Sequence, residues 1–300
     1  MRYWVLAFFV TFSGMLCAYD VEVDGIYYGL IGTRKAYVKQ PGDWMTQGKA
    51  YSGDIVIPEQ ITYNGRTYTV TSVGEGAFAG CDSLASVQLP STMRALSACA
   101  FLGCTNLRQV SFPATLQAVN ACTFMGCTSL QQVALPRHAE LVDSFSLYCC
   151  ASLTSVVLPH SVRTICGGAI EHLPALTDLY CFSSIPPIAE PGAFTLADQQ
   201  HCTLHVPAEA LHLYQTSAHW KEFNCIVVLD DDDYLKQNYR RSDINDDGLV
   251  DVEDLLLLRQ LIVNLSDNKA VRWAADVNGD GIVNSVDFVK LASELSLSKM

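Results

Sequence analysis

The chain has 300 residues, 50% of them hydrophobic, and a formal net charge of -12 at pH 7. This length and apolar content support a large core and leave room for more than one domain. The acidic balance argues against nucleic-acid binding, which needs cationic contacts to phosphates. The charge is uneven, because residues 230–300 carry 15 acidic and 8 basic side chains.

The first eighteen residues, MRYWVLAFFVTFSGMLCA, have the layout of a signal peptide. Arg2 precedes an apolar run over residues 3–12, and a small residue, Ala18, marks the predicted cleavage site. The run is too short to span a bilayer comfortably. The alternatives are a buried N-terminal helix and a lipid anchor at Cys17, although Leu16 before it is bulkier than the residue that a lipoprotein signal has. The predicted mature protein is secreted, extracellular or at the cell surface.

Residues 19–72 predict a β-rich N-terminal cap. Within it, ITYNGRTYTV over residues 61–70 predicts a hairpin with Asn64-Gly65 as its turn. Such a cap is needed wherever a stack of repeats would otherwise expose its core.

The middle of the chain repeats every 23 residues. GAFAGCDSLASVQLP begins at residue 76, CAFLGCTNLRQVSFP at 99, CTFMGCTSLQQVALP at 122 and FSLYCCASLTSVVLP at 145. Apolar columns hold this register over five copies: Phe78, Phe101, Phe124, Leu147 and Ile170; Leu84, Leu107, Leu130, Leu153 and Leu176; Val87, Val110, Val133, Val156 and Leu179; Val73, Leu96, Val119, Val142 and Ile165.

Each copy predicts one turn of a solenoid, because a unit this short cannot bury its apolar face alone. The SVQLP segment alternates as a short strand does and ends at a proline, so stacking gives a parallel β-sheet on one face. The solenoid is predicted over residues 73–228. Its C-terminal cap, TLHVPAEALHLYQTSAHWKEFNCIVV, predicts a strand, a short helix and a closing strand.

The cysteines follow the repeat. The chain has 12, and the predicted mature chain has eleven without Cys17. One column holds Cys81, Cys104, Cys127 and Cys150, and another holds Cys99 and Cys122. Small, weakly polar side chains suit inward corners, which favours buried thiols over disulfides. The pairing state of Cys149 and Cys150 stays open.

The aFxGCxxLxxVxLP pattern resembles the BspA-like leucine-rich repeats of bacterial surface and secreted proteins, over residues 52–228 with the caps included. The resemblance implies the solenoid fold and a family of adhesins and uncharacterised binders. The outward strand positions hold no carboxylate pair of the kind that glycoside hydrolysis uses. These outward positions either bind an extended ligand or are only solvated. They are Ser86, Gln88, Gln109, Ser111, Gln132, Ala134, Ser155, Val157, Asp178 and Tyr180.

After an acidic linker over residues 229–241, two segments have the oxygen spacing of calcium loops, with glycine at position six. In DINDDGLVDVED the predicted ligands are Asp243, Asn245, Asp247, Asp251, Asp254 and the carbonyl of Leu249. In DVNGDGIVNSVD they are Asp276, Asn278, Asp280, Asn284, Asp287 and the carbonyl of Ile282.

Each loop is followed by a helical segment, and position twelve is aspartate instead of the usual glutamate. This duplicated loop-and-helix unit resembles the type I dockerin domain over residues 242–300. The resemblance implies a small all-α domain that binds two calcium ions, and a cohesin domain on another protein as partner. It also implies partner contacts by Val252, Glu253, Arg259, Gln260 and Asn264 in the first segment and by Ser285, Val286, Ala292, Ser293 and Leu297 in the second.

The resulting hypothesis is a secreted, non-catalytic binding protein. Its solenoid recognises a protein or glycan ligand, and its dockerin attaches it to a cohesin-bearing, polysaccharide-degrading assembly. One alternative is an enzyme of polysaccharide breakdown with its activity in the repeats. The other is a free surface adhesin with a calcium-stabilised tail.

Overall fold

The computed structural model describes residues 19–42, 50–113, 115–229, 242, 252–263, 271, 274–278 and 282–297. The predicted signal peptide and almost all of the acidic linker lie outside the described residues. Among the described helices, none is long and apolar enough to cross a membrane.

The N-terminal cap is a mostly antiparallel sheet. Its strands are β1 (Val21–Val23), β2 (Ile26–Ile31), β3 (Lys35–Lys39), β5 (Gln60–Tyr63) and β6 (Arg66–Val73), in the order β1-β2-β3-β6-β5. β5 and β6 form the predicted hairpin, in which Tyr63 faces Arg66. Asn64 and Gly65 both have positive φ, 50° and 72°, as a two-residue turn between twisted strands requires.

Eight parallel strands, one from each successive turn, form the strand face of the solenoid. They are β4 (Gly53–Val56), β7 (Leu84–Gln88), β9 (Gln109–Ser111), β11 (Gln132–Ala134), β13 (Ser155–Leu158), β15 (Asp178–Cys181), β17 (Thr203–Val206) and β18 (Cys225–Val228). The predicted parallel sheet is therefore present. It is divided in two, however, because β9 ends the sheet β4-β7-β9 and β11 begins the sheet β11-β13-β15-β17-β18.

A second line of very short strands runs along another side of the coil: β8 (Ala95–Leu96), β10 (Ala118–Val119), β12 (Leu141–Val142), β14 (Thr164–Ile165) and β16 (Ile188–Ala189). The last four form a parallel sheet, and β8 extends β6 of the cap. Two-residue strands have no readable alternation, so the sequence did not predict them.

Stacked aromatic rings fill the centre of the coil. Phe78 and Phe101 lie 5.1 Å apart between ring centroids, and Phe101 and Phe124 lie 5.4 Å apart, with interplanar angles of 7° and 4°. Leu147 and Ile170 continue the column, and all five side chains are fully buried. The 23-residue period therefore places equivalent apolar groups directly on one another.

The main cysteine column forms a ladder of buried thiols. Cys104 Sγ donates to the carbonyl of Phe78 at 2.9 Å, Cys127 Sγ to that of Phe101 at 3.1 Å, and Cys150 Sγ to that of Phe124 at 3.1 Å. Burial raises the pKa of the Cys150 thiol to about 12, so the donor proton stays in place. None of the eleven described cysteines forms a disulfide.

Cys149 has a different position from Cys150. It lies in the left-handed region, with φ of 60°, where the preceding turns have Gly80, Gly103 and Gly126. Cys150 is fully buried and bonded to a carbonyl, whereas Cys149 is half-buried. Cys150 therefore belongs to the buried thiol ladder, whereas Cys149 occupies a turn position that the preceding repeats fill with glycine.

The C-terminal cap agrees with the predicted order of strand, helix and strand. After α1 (Leu196–His201), strand β17 leads through a 3-10 turn (Ala208–Ala210) into α2 (Leu211–Thr216), and β18 closes the sheet. Tyr214, Trp220 and Phe223 pack as an aromatic group under this end, and Trp220 Nε1 donates to the carbonyl of Pro187 at 2.8 Å.

The tail contains α3 (Val252–Val263) and α4 (Ser285–Leu297), the two helices that the duplicated segments predict. They enclose a small hydrophobic cluster of their own, with Leu258, Ala274, Ala275, Val277 and Leu291 buried.

We expect Phe101→Ala to destabilise the solenoid by about 3–5 kcal/mol, because it empties a site between two stacked rings. Phe101→Leu should cost less, since Leu147 fills the same column. Urea unfolding followed by circular dichroism measures both, with the exposed Gln88→Ala as control. A Phe101→Ala variant as stable as the control would contradict the role assigned to the column.

The thiol ladder predicts the redox state of the protein. Most of the eleven described cysteines should react with a thiol reagent in denaturant without any reductant. Two or fewer reactive thiols would show that disulfides hold the turns together.

Candidate functional site

The strand face exposes the side chains that the repeat directs outward. Gln88, Gln109, Ser111, Gln132 and Ala134 are exposed on β7, β9 and β11. Ser86, Ser155, Val157, Asp178 and Tyr180 are half-exposed. The surface is mostly uncharged, as the sequence indicated, but it is not featureless.

A cavity of about 1050 Å³ opens on this face where the sheet divides. Its walls come from β9, β11 and β13, and its inner lining includes Phe112, Phe124 and Leu130 from the core. Arg108 and Arg137 lie at its rim, and Asp178 and Tyr180 line its far side. The volume is in the range of ligand pockets. We call this space the cleft.

The far side of the cleft carries a cluster that the sequence did not indicate. His205 Nε2 lies 2.8 Å from Asp178 Oδ1, and the His205 ring stacks on Tyr180 with centroids 4.4 Å apart. Thr177 Oγ1 donates to Asp178 Oδ2 at 2.8 Å. Adjacent strands β15 and β17 bring the three groups together, because Tyr180 and His205 are register partners. The result is a flat, half-exposed aromatic surface whose neighbouring carboxylate is held in place.

In the tail, the second predicted calcium loop is partly described. Asp287 is fully buried, and its two carboxylate oxygens accept from the backbone amides of Asn278 at 3.1 Å and Asn284 at 2.9 Å. Position twelve thus reaches back to positions three and nine, which draws the loop closed. Lys290 Nζ donates to the carbonyl of Val277 at 3.0 Å and ties α4 to the same loop.

Some of the other predicted calcium ligands of this loop are also described. Asn284 Nδ2 donates to the carbonyl of Ile282 at 3.3 Å, and Asn284 Oδ1 accepts from the amide of Val286 at 2.7 Å. Asp276 is buried. Asp280 lies outside the described residues.

Of the predicted ligands of the first loop, only Asp254 is described, and it is fully buried. Asp243, Asn245, Asp247, Leu249 and Asp251 lie outside the described residues. Within the described part of the chain, no group of three or more His, Cys, Asp or Glu side chains that could hold a metal is found.

The donor chemistry of the second loop fits calcium. Asp276 and Asp287 are buried carboxylates, and calcium prefers carboxylate, amide and carbonyl oxygens. Each Asp287 oxygen accepts one amide hydrogen bond and retains another lone pair for a cation.

The predicted partner-binding residues lie along the two tail helices. Arg259 and Gln260 on α3 are exposed, as are Ser285, Val286 and Ser293 on α4, and Ala292 is half-buried. Val252 and Glu253 begin α3 and Leu297 ends α4. Asn264 lies outside the described residues. Two further exposed apolar side chains were missed: Leu256 on α3 and Val289 on α4.

Comparison with protein families assigns both parts of the chain. The family described as BspA type leucine rich repeat region matches residues 56–194 in six copies. The family described as Dockerin type I domain matches residues 241–296. The chain therefore combines a BspA-type leucine-rich repeat region with a type I dockerin domain. Neither family is catalytic, and no enzyme domain is found.

Several solved structures, among them leucine-rich repeat proteins, are similar to this chain. A protein of T. pallidum has 25% identity and a TM-score of 0.46, covering 62% of this chain and 86% of that chain. A protein from Bacteroides ovatus has 17% identity and a TM-score of 0.37, covering 70% and 77%. The pneumococcal vaccine antigen PcpA has 18% identity and a TM-score of 0.49, covering 64% and 50%. Among curated proteins, no match is found.

Type I dockerin domains bind calcium, which fits the calcium predicted for the tail. Both families are typical of extracellular or cell-surface proteins, and a dockerin implies a cohesin as partner.

The geometry of Asp287 leads to a prediction for metal binding. Asp287→Ala should weaken calcium binding at least about tenfold, because it removes both a predicted ligand and the acceptor for two loop amides. Ser293→Ala, exposed on the same helix, is the control. Calorimetric titration of the chelator-treated chain measures the change. Equal affinities would place the calcium site elsewhere.

Chelation should also separate the two parts of the chain. In full-length protein, a calcium chelator should abolish or lower the unfolding transition of the tail and leave that of the solenoid almost unchanged, because every predicted calcium loop follows residue 242. Scanning calorimetry with and without the chelator resolves the two. Equal destabilisation of both transitions would contradict this division.

Proposed function

We propose that this is a secreted, non-catalytic binding protein in which the leucine-rich repeat solenoid holds a ligand and the dockerin attaches it to a cohesin-bearing extracellular assembly. The main support is the joining of a repeat solenoid to a dockerin in one chain. We extend this proposal to polysaccharide catabolism by association, because dockerins classically attach proteins to assemblies that degrade polysaccharides.

Secretion is supported by the composition of residues 1–18 and by the families of the two domains. In this proposal the signal peptide ends at Ala18, the cap covers residues 19–72 and the solenoid residues 73–228. A linker over residues 229–241 then leads to the dockerin at 242–300. β4 already pairs in parallel with β7, so the first turn of the strand face lies within the range of the cap.

We assign two calcium ions to the dockerin, one for each predicted loop. Their role is to stabilise the domain, because its own buried cluster is small and metal binding energy adds directly to folding energy. The predicted ligands of the second ion include Asp276, Asn278, Asn284 and Asp287.

The ligand side of the solenoid is its strand face. The face contains the cleft and, beside it, the stacked Tyr180 and His205 rings. Aromatic surfaces with fixed polar neighbours favour recognition of a ligand over simple solvation.

We further propose that the second dockerin segment makes the main cohesin contact. Ile282, which lies just before α4, and Val286 and Val289 on its first turns are 62%, 56% and 67% exposed. On α3, Leu256 is exposed next to Arg259 and Gln260, so that surface is more polar. A single cohesin patch cannot suit both surfaces, because an apolar patch would bury Arg259 unpaired.

Affinity capture tests the attachment. Full-length protein immobilised through its N-terminus should retain a cohesin-domain protein in calcium and release it in chelator. A set of cohesins that shows no calcium-dependent retention would favour the alternative of a free adhesin.

Two triple variants at matched positions test the orientation. Val286→Ala, Val289→Ala and Ser293→Ala together should reduce cohesin affinity at least about tenfold, since hot spots concentrate in one apolar patch. Glu253→Ala, Leu256→Ala and Gln260→Ala should retain most of the affinity. Calcium titration of each variant controls for folding. If each triple variant binds normally and only their combination fails, both orientations are used and the proposal is wrong.

A further inference from the structure

Two cysteines outside the thiol ladder form a short column of their own. Cys99 and Cys122 occupy the same position in successive turns, where the flanking turns have Gly76 and Phe145. All four residues have positive φ, between 56° and 59°. Because the backbone has the same conformation at these equivalent positions, the two cysteine side chains leave the coil in the same direction.

Backbone hydrogen bonds hold the two cysteines in register. Cys99 N donates to the carbonyl of Ala121 at 2.9 Å, and Phe101 N donates to that of Thr123 at 2.9 Å. Two residues after the cysteines, the rings of Phe101 and Phe124 lie 5.4 Å apart. Turns at this spacing place equivalent Cα atoms within the range of about 4.4–6.8 Å that a disulfide spans.

The two thiols contact each other and are not equivalent. The Cys99 thiol donates a hydrogen bond to the Cys122 sulfur, which raises the pKa of Cys99 and lowers that of Cys122, although burial opposes the second shift. Cys99 is buried, whereas Cys122 is half-buried. Cys122 is therefore the more accessible and more readily ionised thiol, and Cys99 lies behind it within contact distance.

The thiol ladder on the same two turns shows what distinguishes this pair. Cys104 and Cys127 are also 23 residues apart, but both are fully buried and each donates to a carbonyl. Burial raises the pKa of Cys127 well above its ordinary value. Since the thiolate is the nucleophile, a buried thiol that keeps its proton is inert. The same turns thus carry two structural thiols and two that can react.

We propose that Cys99 and Cys122 are a thiol–disulfide exchange site for small cationic disulfides. The Cys122 thiolate attacks one sulfur of the disulfide, whose S–S bond breaks, and the released thiolate takes up the proton that Cys122 lost. Cys99 then attacks the Cys122 sulfur of the mixed disulfide and displaces the second thiolate, which takes up the Cys99 proton. The small disulfide is reduced to two thiols, and the protein is oxidised to a Cys99–Cys122 disulfide.

Two carboxylates determine the preference for positive charge. Glu75 acts on Cys99 and Asp143 acts on Cys122 through their negative charges. Asp143 Oδ1 accepts from the amide of Ser144 at 2.7 Å, which fixes one of these charges. The field of the two carboxylates attracts a cationic disulfide and repels an anionic one.

Oxidation would link two turns that the strand face leaves unlinked. β9 and β11 belong to these turns, and along the described strand face they lie in separate sheets. A covalent link at another side of the coil restricts the unfolded chain, so the oxidised solenoid should be the more stable form. The inference goes beyond the proposed function and depends on neither the ligand of the solenoid nor the cohesin.

Mapping the oxidised product tests the pairing. Full-length protein is treated under native conditions with cystamine, a cationic disulfide, and is then alkylated and digested with trypsin. We expect a disulfide between the peptides 95–108 and 109–137. Each peptide also contains a cysteine of the thiol ladder, so two variants assign the link. Cys122→Ser should abolish it, and Cys127→Ala should retain it.

The rate of oxidation tests the effect of charge. Glutathione disulfide, which is anionic, should oxidise the pair at least about tenfold more slowly than cystamine. The double variant Glu75→Gln with Asp143→Asn should narrow this difference, and that comparison separates charge from the intrinsic reactivity of the two reagents. An equal ratio of rates in the wild-type protein and the variant would overturn the assigned preference.

Thermal unfolding of the same samples tests the link between the turns. Oxidation should raise the Tm of the solenoid by about 5 °C or more, reduction should reverse the change, and Cys122→Ser should show neither. If Cys122→Ser does not fold, alkylation of the native wild-type protein decides. Iodoacetamide should then modify Cys122 at least about tenfold faster than Cys127.

Three results would overturn the exchange site. They are a disulfide through Cys104 or Cys127, a mixed disulfide at Cys122 that Cys99 does not resolve, and equal alkylation rates for Cys122 and Cys127. None of them bears on cohesin capture, which tests the attachment separately.

Discussion

The fold depends on the stacking of one turn on the next. Each turn is too short to cover its own apolar side chains, so Phe101 is buried only because Phe78 and Phe124 lie above and below it. The same stacking satisfies polar groups, since the thiols of Cys104, Cys127 and Cys150 each donate to a carbonyl one turn away. A turn is thus both the core and the hydrogen-bond partner of its neighbour. The two ends need caps for the same reason.

Much of the solenoid could be predicted from the sequence, because a fixed period aligns equivalent residues of successive turns in columns. The columns indicated which side chains point inward, and the Asn-Gly pair indicated the hairpin. The two-residue strands were missed because they are too short to alternate. The pair of Asp178 and His205 was missed because the period decays after residue 182, so the turn containing His205 could not be aligned. Phe112 in a column of leucines was the one visible sign of the break between β9 and β11.

The tail follows a different physical plan. Its described core is small, and the duplicated sequence indicated the ligand positions more clearly than any packing pattern could. Oxygen spacing is a local property of the chain, so it can be read without knowing the fold. Which helix surface meets a partner depends on exposure, and exposure was available only from the structure: Val289 and Leu256 lie outside the positions that the family resemblance implied.

The break in the strand ladder costs the solenoid stability. Every other adjacent pair of turns on the strand face is joined by a ladder, and β9 and β11 have the length and register to do the same. An open edge forgoes backbone hydrogen bonds and exposes part of the core to water. Position 112 is phenylalanine, where the neighbouring turns have leucine. Its ring packs edge-on against Phe124 and keeps the inner surface apolar at the break. A closed ladder would stabilise the solenoid more but would leave a flat surface. The open one leaves a concave cleft, whose lining joins polar side chains such as Gln109 and Gln132 to the half-buried Val110 and Phe112.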